Sequence, residues 1–216
     1  MLEPDWEDVS SPPADLRRIW EEVRFEPVEV SGPAIDHCLE ALRQTRTHGG
    51  VRLGCFHVPE HKEFDYFASR NLLVDVDGGD ELGFARHSFS SSAVRSLFSE
   101  AQTAELPEDF MLDFPPVFGW GSPFTFEGEI AGRIFEGGAY KSFQGPPARA
   151  IATARGFREA IYGERYMDVR PYTSFDRWHA WFQYVERITW LLIDKRYRSI
   201  WLLCVTDSDR GEIPPR

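Results

Sequence analysis

The sequence predicts an α+β fold with helices packed against a mainly antiparallel sheet, and three observations carry that prediction. The stretch 188–206 holds two near-continuous apolar runs, Ile188–Ile193 and Ser199–Thr206, separated by the polar, basic segment Asp194–Arg198. Such a pattern reads as a β-hairpin covered on both faces, so this hairpin is expected at the centre of the sheet. Asn71–Val76 and Glu81–His87 read as a second hairpin around Asp77-Gly-Gly-Asp80. Helical periodicities fall between these strands at irregular intervals, without the strand–helix–strand rhythm of a parallel sheet.

Taken in order, Ser11-Pro-Pro predicts a helix start, and Leu16, Ile19, Trp20 and Val23 give that helix one apolar face. Phe25–Val30 reads as a short strand weakened by Pro27. Ser31-Gly-Pro opens a second helix carrying Ile35, Cys38, Leu39 and Leu42, which Gly49-Gly50 ends; Val51–Val58 follows as a strand. Ser91 or Ser92 is expected to cap a helix bearing Val94, Leu97, Phe98 and Ala101. Phe124–Phe135 reads as two short strands interrupted by Gly128 and Gly132. Pro146-Pro147 begins a helix with the face Ala150, Ile151, Ala154, Phe157 and Ile161, ended by Gly163. Tyr166–Tyr172 reads as a strand, and a short helix with Trp178, Trp181, Phe182 and Val185 leads into the central hairpin.

The chain of 216 residues, 42% hydrophobic, has enough apolar mass for one domain. It divides at most into subdomains 1–104 and 124–209, joined by the Pro/Gly/aromatic stretch 105–123, with 207–216 expected as a loose tail. A net charge of −11 repels phosphate backbones, which disfavours nucleic acid and anionic membranes as partners and suits a basic protein. Cys38, Cys55 and Cys204 are widely spaced within apolar patterns and read as reduced core residues. The acidic amino terminus has no signal-peptide pattern and no apolar run reaches membrane-helix length, so a cytoplasmic protein is expected.

Candidate chemistry begins at Leu72-Leu-Val-Asp75-Val-Asp77-Gly78, where a strand delivers two carboxylates to one face at its end, a geometry suited to Mg²⁺. The string resembles the first motif of the haloacid dehalogenase-like phosphotransferases. That resemblance implies Asp75 as the nucleophile attacking phosphorus and Asp77 as the acid protonating the leaving group. Gly79 stands where that family has Thr or Val. Asp207 and Asp209 end another strand and are the candidates to complete such a metal site. The competing reading of 77–80 is a turn with solvated carboxylates.

His57-Val-Pro-Glu60-His61 spells a zinc-protease pattern, but Pro59 forbids the continuous helix that would align both histidines. Gly137-Gly138-Ala-Tyr-Lys141-Ser142 approaches a phosphate loop, yet Tyr140 replaces the required glycine and Pro146-Pro147 remove two helix-start N–H donors. Arg86-His87-Ser88 and Ser90–Ser92 place a hydroxyl near a base without a nucleophile elbow, and read as a strand end and a helix cap. Trp178 and Trp181, with His179 and Trp201, read either as core or as an aromatic contact surface, and Lys195, Arg196 and Arg198 as a solvated basic turn or a contact for an acidic partner. The sequence favours a non-enzymatic protein-interaction domain, such as an immunity- or antitoxin-like binder of a basic partner, with no cofactor. The alternative is a Mg²⁺-dependent hydrolase or phosphotransferase using Asp75 and Asp77.

Overall fold

The structure, a computed structural model, describes residues 20, 22–74, 83–98, 116–179, 181–182 and 186–207. It has an α+β architecture: a six-stranded sheet of order β1-β2-β6-β5-β4-β3 in which every neighbouring pair is antiparallel. The strands are β1 (Glu26–Val28), β2 (Gly50–His57), β3 (Gly119–Trp120), β4 (Val169–Ser174), β5 (Glu186–Asp194) and β6 (Ser199–Asp207). The helices are α1 (Pro33–Arg43), α2 (Lys62–Ser69), α3 (Phe84–Ser90), α4 (Ser92–Arg95), α5 (Phe126–Glu136) and α6 (Pro147–Ile161). No helix among the described residues is long and apolar enough to cross a membrane.

β5 and β6 form the expected hairpin at the centre of the sheet, in register from Glu186↔Asp207 to Asp194↔Ser199. Their continuous apolar character follows from burial on both faces. Ile188, Trp190, Leu192, Leu203 and Val205 pack under α1, α5 and α6, whereas Leu191, Ile193, Ile200, Leu202 and Cys204 pack under α2, α3 and α4. Because alternate strand residues point to opposite faces, each strand must be apolar at nearly every position. The three cysteines are free and buried; burial pushes the Cys38 and Cys55 thiols up to about 12 and the Cys204 thiol higher still, so none offers a thiolate near neutral pH.

Three expected elements differ. In the described part of the expected strand Glu81–His87, the chain is helical: Phe84–Ser90 is a helix entered from Gly83 at φ 72°, and Phe84, Ala85, Ser88 and Phe89 are its buried face. Residues 71–74 are not in a strand, and 75–82 lie outside the described residues. Phe124–Phe135 is not a pair of strands but the helix α5, which buries Phe126, Ile130, Ala131 and Ile134. Two interior glycines cost a helix about 1 kcal/mol each against alanine, and burial of those four side chains outweighs that. Trp178–His179 and Trp181–Phe182 are not helical; the side chains are held instead by aromatic contacts. In addition Gly119–Trp120, within a segment expected to be irregular, form an edge strand, and β6 runs through Asp207, the first residue of the expected tail.

His179 is buried, stacks on Phe98 with ring centroids 4.3 Å apart, and accepts the Trp181 N–H on Nδ1 at 3.0 Å. Burial, with a smaller contribution from Arg95, pushes its pKa from 6.5 down to about 4. The unfolded chain therefore binds a proton that the folded chain resists. Stability from this group is full above pH 6.5 and declines as pH falls towards 4, by at most about 3 kcal/mol. Urea denaturation across that interval should show a shallower pH slope in His179→Gln, whose amide oxygen keeps the acceptor. An unchanged slope would assign the acid sensitivity to other groups.

Candidate functional site

On the face covered by α1, α5 and α6, the described residues leave the sheet incompletely roofed towards its β3 edge. Gly119, Thr173 and Trp190 are successive cross-strand neighbours there, and Ile188 lies two residues along β5 from Trp190 on the same face. α5 runs above them as one wall of a groove of about 500 Å³, presenting Gly128, Glu129, Gly132, Arg133 and Glu136, and Phe175 closes one end. The ring of Trp120 turns to the opposite face, 5.7 Å from Tyr172 with the Arg170 guanidinium 4.2 Å above it.

The two α5 glycines make the opening. Among the described residues a Cβ added at either position meets nothing within 4 Å, and neither residue has a positive φ. Gly138 differs: a Cβ there would collide with both an Asp207 oxygen and the Thr45 carbonyl. Packing demands glycine at 138 and does not demand it at 128 or 132. Gly128→Ala is accordingly expected to raise stability by about 0.5–1 kcal/mol in urea denaturation. A loss of stability would mean that the glycine serves the fold itself.

The polar groups of the groove are fixed in place. Trp190 donates its Nε1–H to Glu129 at 3.1 Å, and the other Glu129 oxygen accepts the Thr125 hydroxyl at 3.0 Å. Arg133 lies 3.7 Å from Glu136 and 5.9 Å from the Phe175 ring centre, while its carbonyl accepts from the Arg46 guanidinium at 3.4 Å. Two carboxylates against one guanidinium leave the groove net negative. Phe135 and Phe175 are about half exposed beside it.

None of the described residues singled out in the sequence as site candidates lines this groove. Asp75, Asp77 and Asp209 fall outside the described residues. Asp207 is fully buried, with its two oxygens accepting the backbone N–H groups of His48 and Ala139 at 2.9 Å each. Among the described residues no group of three or more His, Cys, Asp or Glu is placed to hold a metal ion. His57 ends β2 with Nδ1 3.2 Å from the Tyr197 carbonyl, whereas His61 caps α2 and accepts the Phe64 N–H at 3.4 Å. The two histidines do not share a helix face.

Trp178 is buried, donates Nε1–H to Thr189 at 2.8 Å and packs on Phe89, while half-buried Trp181 packs on Phe98. The basic turn is part-buried and tied to the rest of the fold. Arg198 forms a bidentate pair with Asp65, Arg196 reaches Asp168 at 2.8 Å, and the Lys195 N–H donates to the Asp168 carbonyl at 2.8 Å. Tyr197 lies under the Arg165 guanidinium at 4.6 Å, and Arg165 pairs with Asp194 at 2.9 Å.

Reading α5 as strands hid the groove. The signal was present in the four-residue spacing of Gly128 and Gly132 beside Phe126, Ile130 and Ile134, which places the glycines together on one helical face. Comparison with protein-family models, with curated proteins and with solved structures finds no match to this chain.

Proposed function

We propose that this protein is a non-enzymatic interaction domain whose groove between α5 and the β3–β5 edge takes a peptide segment of a basic partner protein. The supporting observation is the opening at Gly128 and Gly132, where the helix gives up stability for space that none of the described residues fills. An apolar side chain of the partner would enter over Ile188 and Thr173. Its basic flanks would meet Glu129 and Glu136, in keeping with the net charge of −11. β3 ends the sheet order, so an extended partner backbone could also pair along it.

The test is to pan a random peptide library on the protein and map the winners with a photo-crosslinking residue at position 175, or at exposed position 151 on α6 as a control. Lys- or Arg-flanked peptides with an apolar anchor should be enriched and should crosslink at 175 and not at 151. Failure to enrich such peptides, or equal crosslinking at both positions, would overturn the proposal.

A further inference from the structure

A second cavity, of about 530 Å³, lies where the end of α1, the loop 137–146 and the first turn of α6 meet. Its lining includes Gln44, Tyr140, Lys141, Ser142, Gln144 and Arg149 and, among the described residues, no Asp or Glu. In a chain of net charge −11, a cavity whose described wall carries two cations and no acid is a local reversal of sign. Among the described residues neither Lys141 nor Arg149 forms an ion pair with a carboxylate; Arg149 instead lies 5.9 Å from the Phe143 ring centre.

The wall is built before any ligand arrives. Ala139 donates its N–H to buried Asp207 at 2.9 Å, Gly138 donates to the Lys141 carbonyl at 2.9 Å, and Gln144 donates to the Ser142 carbonyl at 3.2 Å. Gly138 is pressed so closely on Asp207 and Thr45 that no side chain fits there. A loop held in this way loses little conformational freedom on binding. Prolines at 146 and 147 withhold two N–H donors from the helix start, so an anion here would be held by side chains and not by helix N–H groups.

We infer that this cavity binds a small phosphorylated molecule, with Lys141 and Arg149 on the phosphate oxygens and the Ser142 and Tyr140 hydroxyls as neutral donors. Charge-assisted contacts to phosphate are the strong ones, and a cavity of this size accommodates a nucleotide-sized ligand. The site is separate from the α5 groove and does not depend on its function.

Calorimetric titration of the full chain with inorganic pyrophosphate and, separately, with ADP tests the inference. Saturable one-to-one binding is expected, weakening with added salt and loosened about tenfold in Lys141→Gln and in Arg149→Gln. Both variants are at exposed positions, and an unchanged urea midpoint confirms that they fold. Binding of both probes assigns recognition to the phosphates alone; binding of ADP only adds the nucleoside. No saturable binding of either probe at millimolar concentration, or binding that the double variant retains, would overturn the inference.

Discussion

Asp65→Ala is expected to destabilise the fold by about 3–5 kcal/mol. Arg198 donates from Nε and Nη2 to the two Asp65 oxygens, each at 2.7 Å, and both side chains are buried. A guanidinium keeps its proton throughout the accessible pH range, so Arg198 cannot escape its burial by becoming neutral. Without Asp65 it remains as an uncompensated interior charge. The position magnifies the effect: Arg198 sits at φ 48° in the hairpin turn, and its carbonyl accepts the Val58 N–H at 2.8 Å. One residue thus ties the central hairpin to the end of β2 and to α2. Urea denaturation is the measurement, with the double variant Asp65→Leu/Arg198→Met alongside. Removing both charges should cost less than removing one. If Asp65→Ala costs under about 1 kcal/mol, the pair behaves as a solvated surface bridge.

Asp207→Ala should cost about 3 kcal/mol, through a different mechanism. Its carboxylate accepts the N–H groups of His48 and Ala139, and deletion leaves both donors without their acceptor beside a fully buried position. Arg46, buried close by with Glu186 at 4.0 Å, also loses a neighbouring negative charge. Amide hydrogen exchange separates this from a general loss of stability. Protection should fall first at His48 and Ala139, before the amides of β5, because the two loops are released while the hairpin persists. Uniform loss of protection across the sheet would contradict the anchoring role.

The central hairpin was legible because its signal is physical and local: two apolar strands, a polar turn, and no alternation because both faces are covered. α1 and α6 were legible from their proline starts and apolar spacing. α5 was not, because its two glycines read as breaks. Their cost is outweighed only by contacts of Phe126, Ile130 and Ile134 with residues far away in the chain. The turn at 195–198 was legible as a turn, but not as a pinned one. The partners Asp65, Asp168 and Arg165 reach it through the tertiary structure and leave no mark at short spacing. Asp207 likewise stood out as an acid at a strand end, whereas its role depends on two backbone N–H groups brought to it from distant loops. The sites themselves were the least legible part. A groove made of absent side chains, and a cavity formed by three separate segments, have no linear motif to read.

The most direct measurement is made on Gly132→Leu, read twice: the urea midpoint, and the affinity for a library-selected basic peptide by fluorescence anisotropy. Leucine favours the helix and its Cβ meets none of the described residues within 4 Å, so the midpoint should hold or rise while the side chain fills the groove and peptide affinity falls at least about tenfold. A variant that binds the peptide as the parent chain does would contradict the groove as the binding site. A variant that loses stability would show that glycine at 132 serves the fold, removing the ground for the proposal.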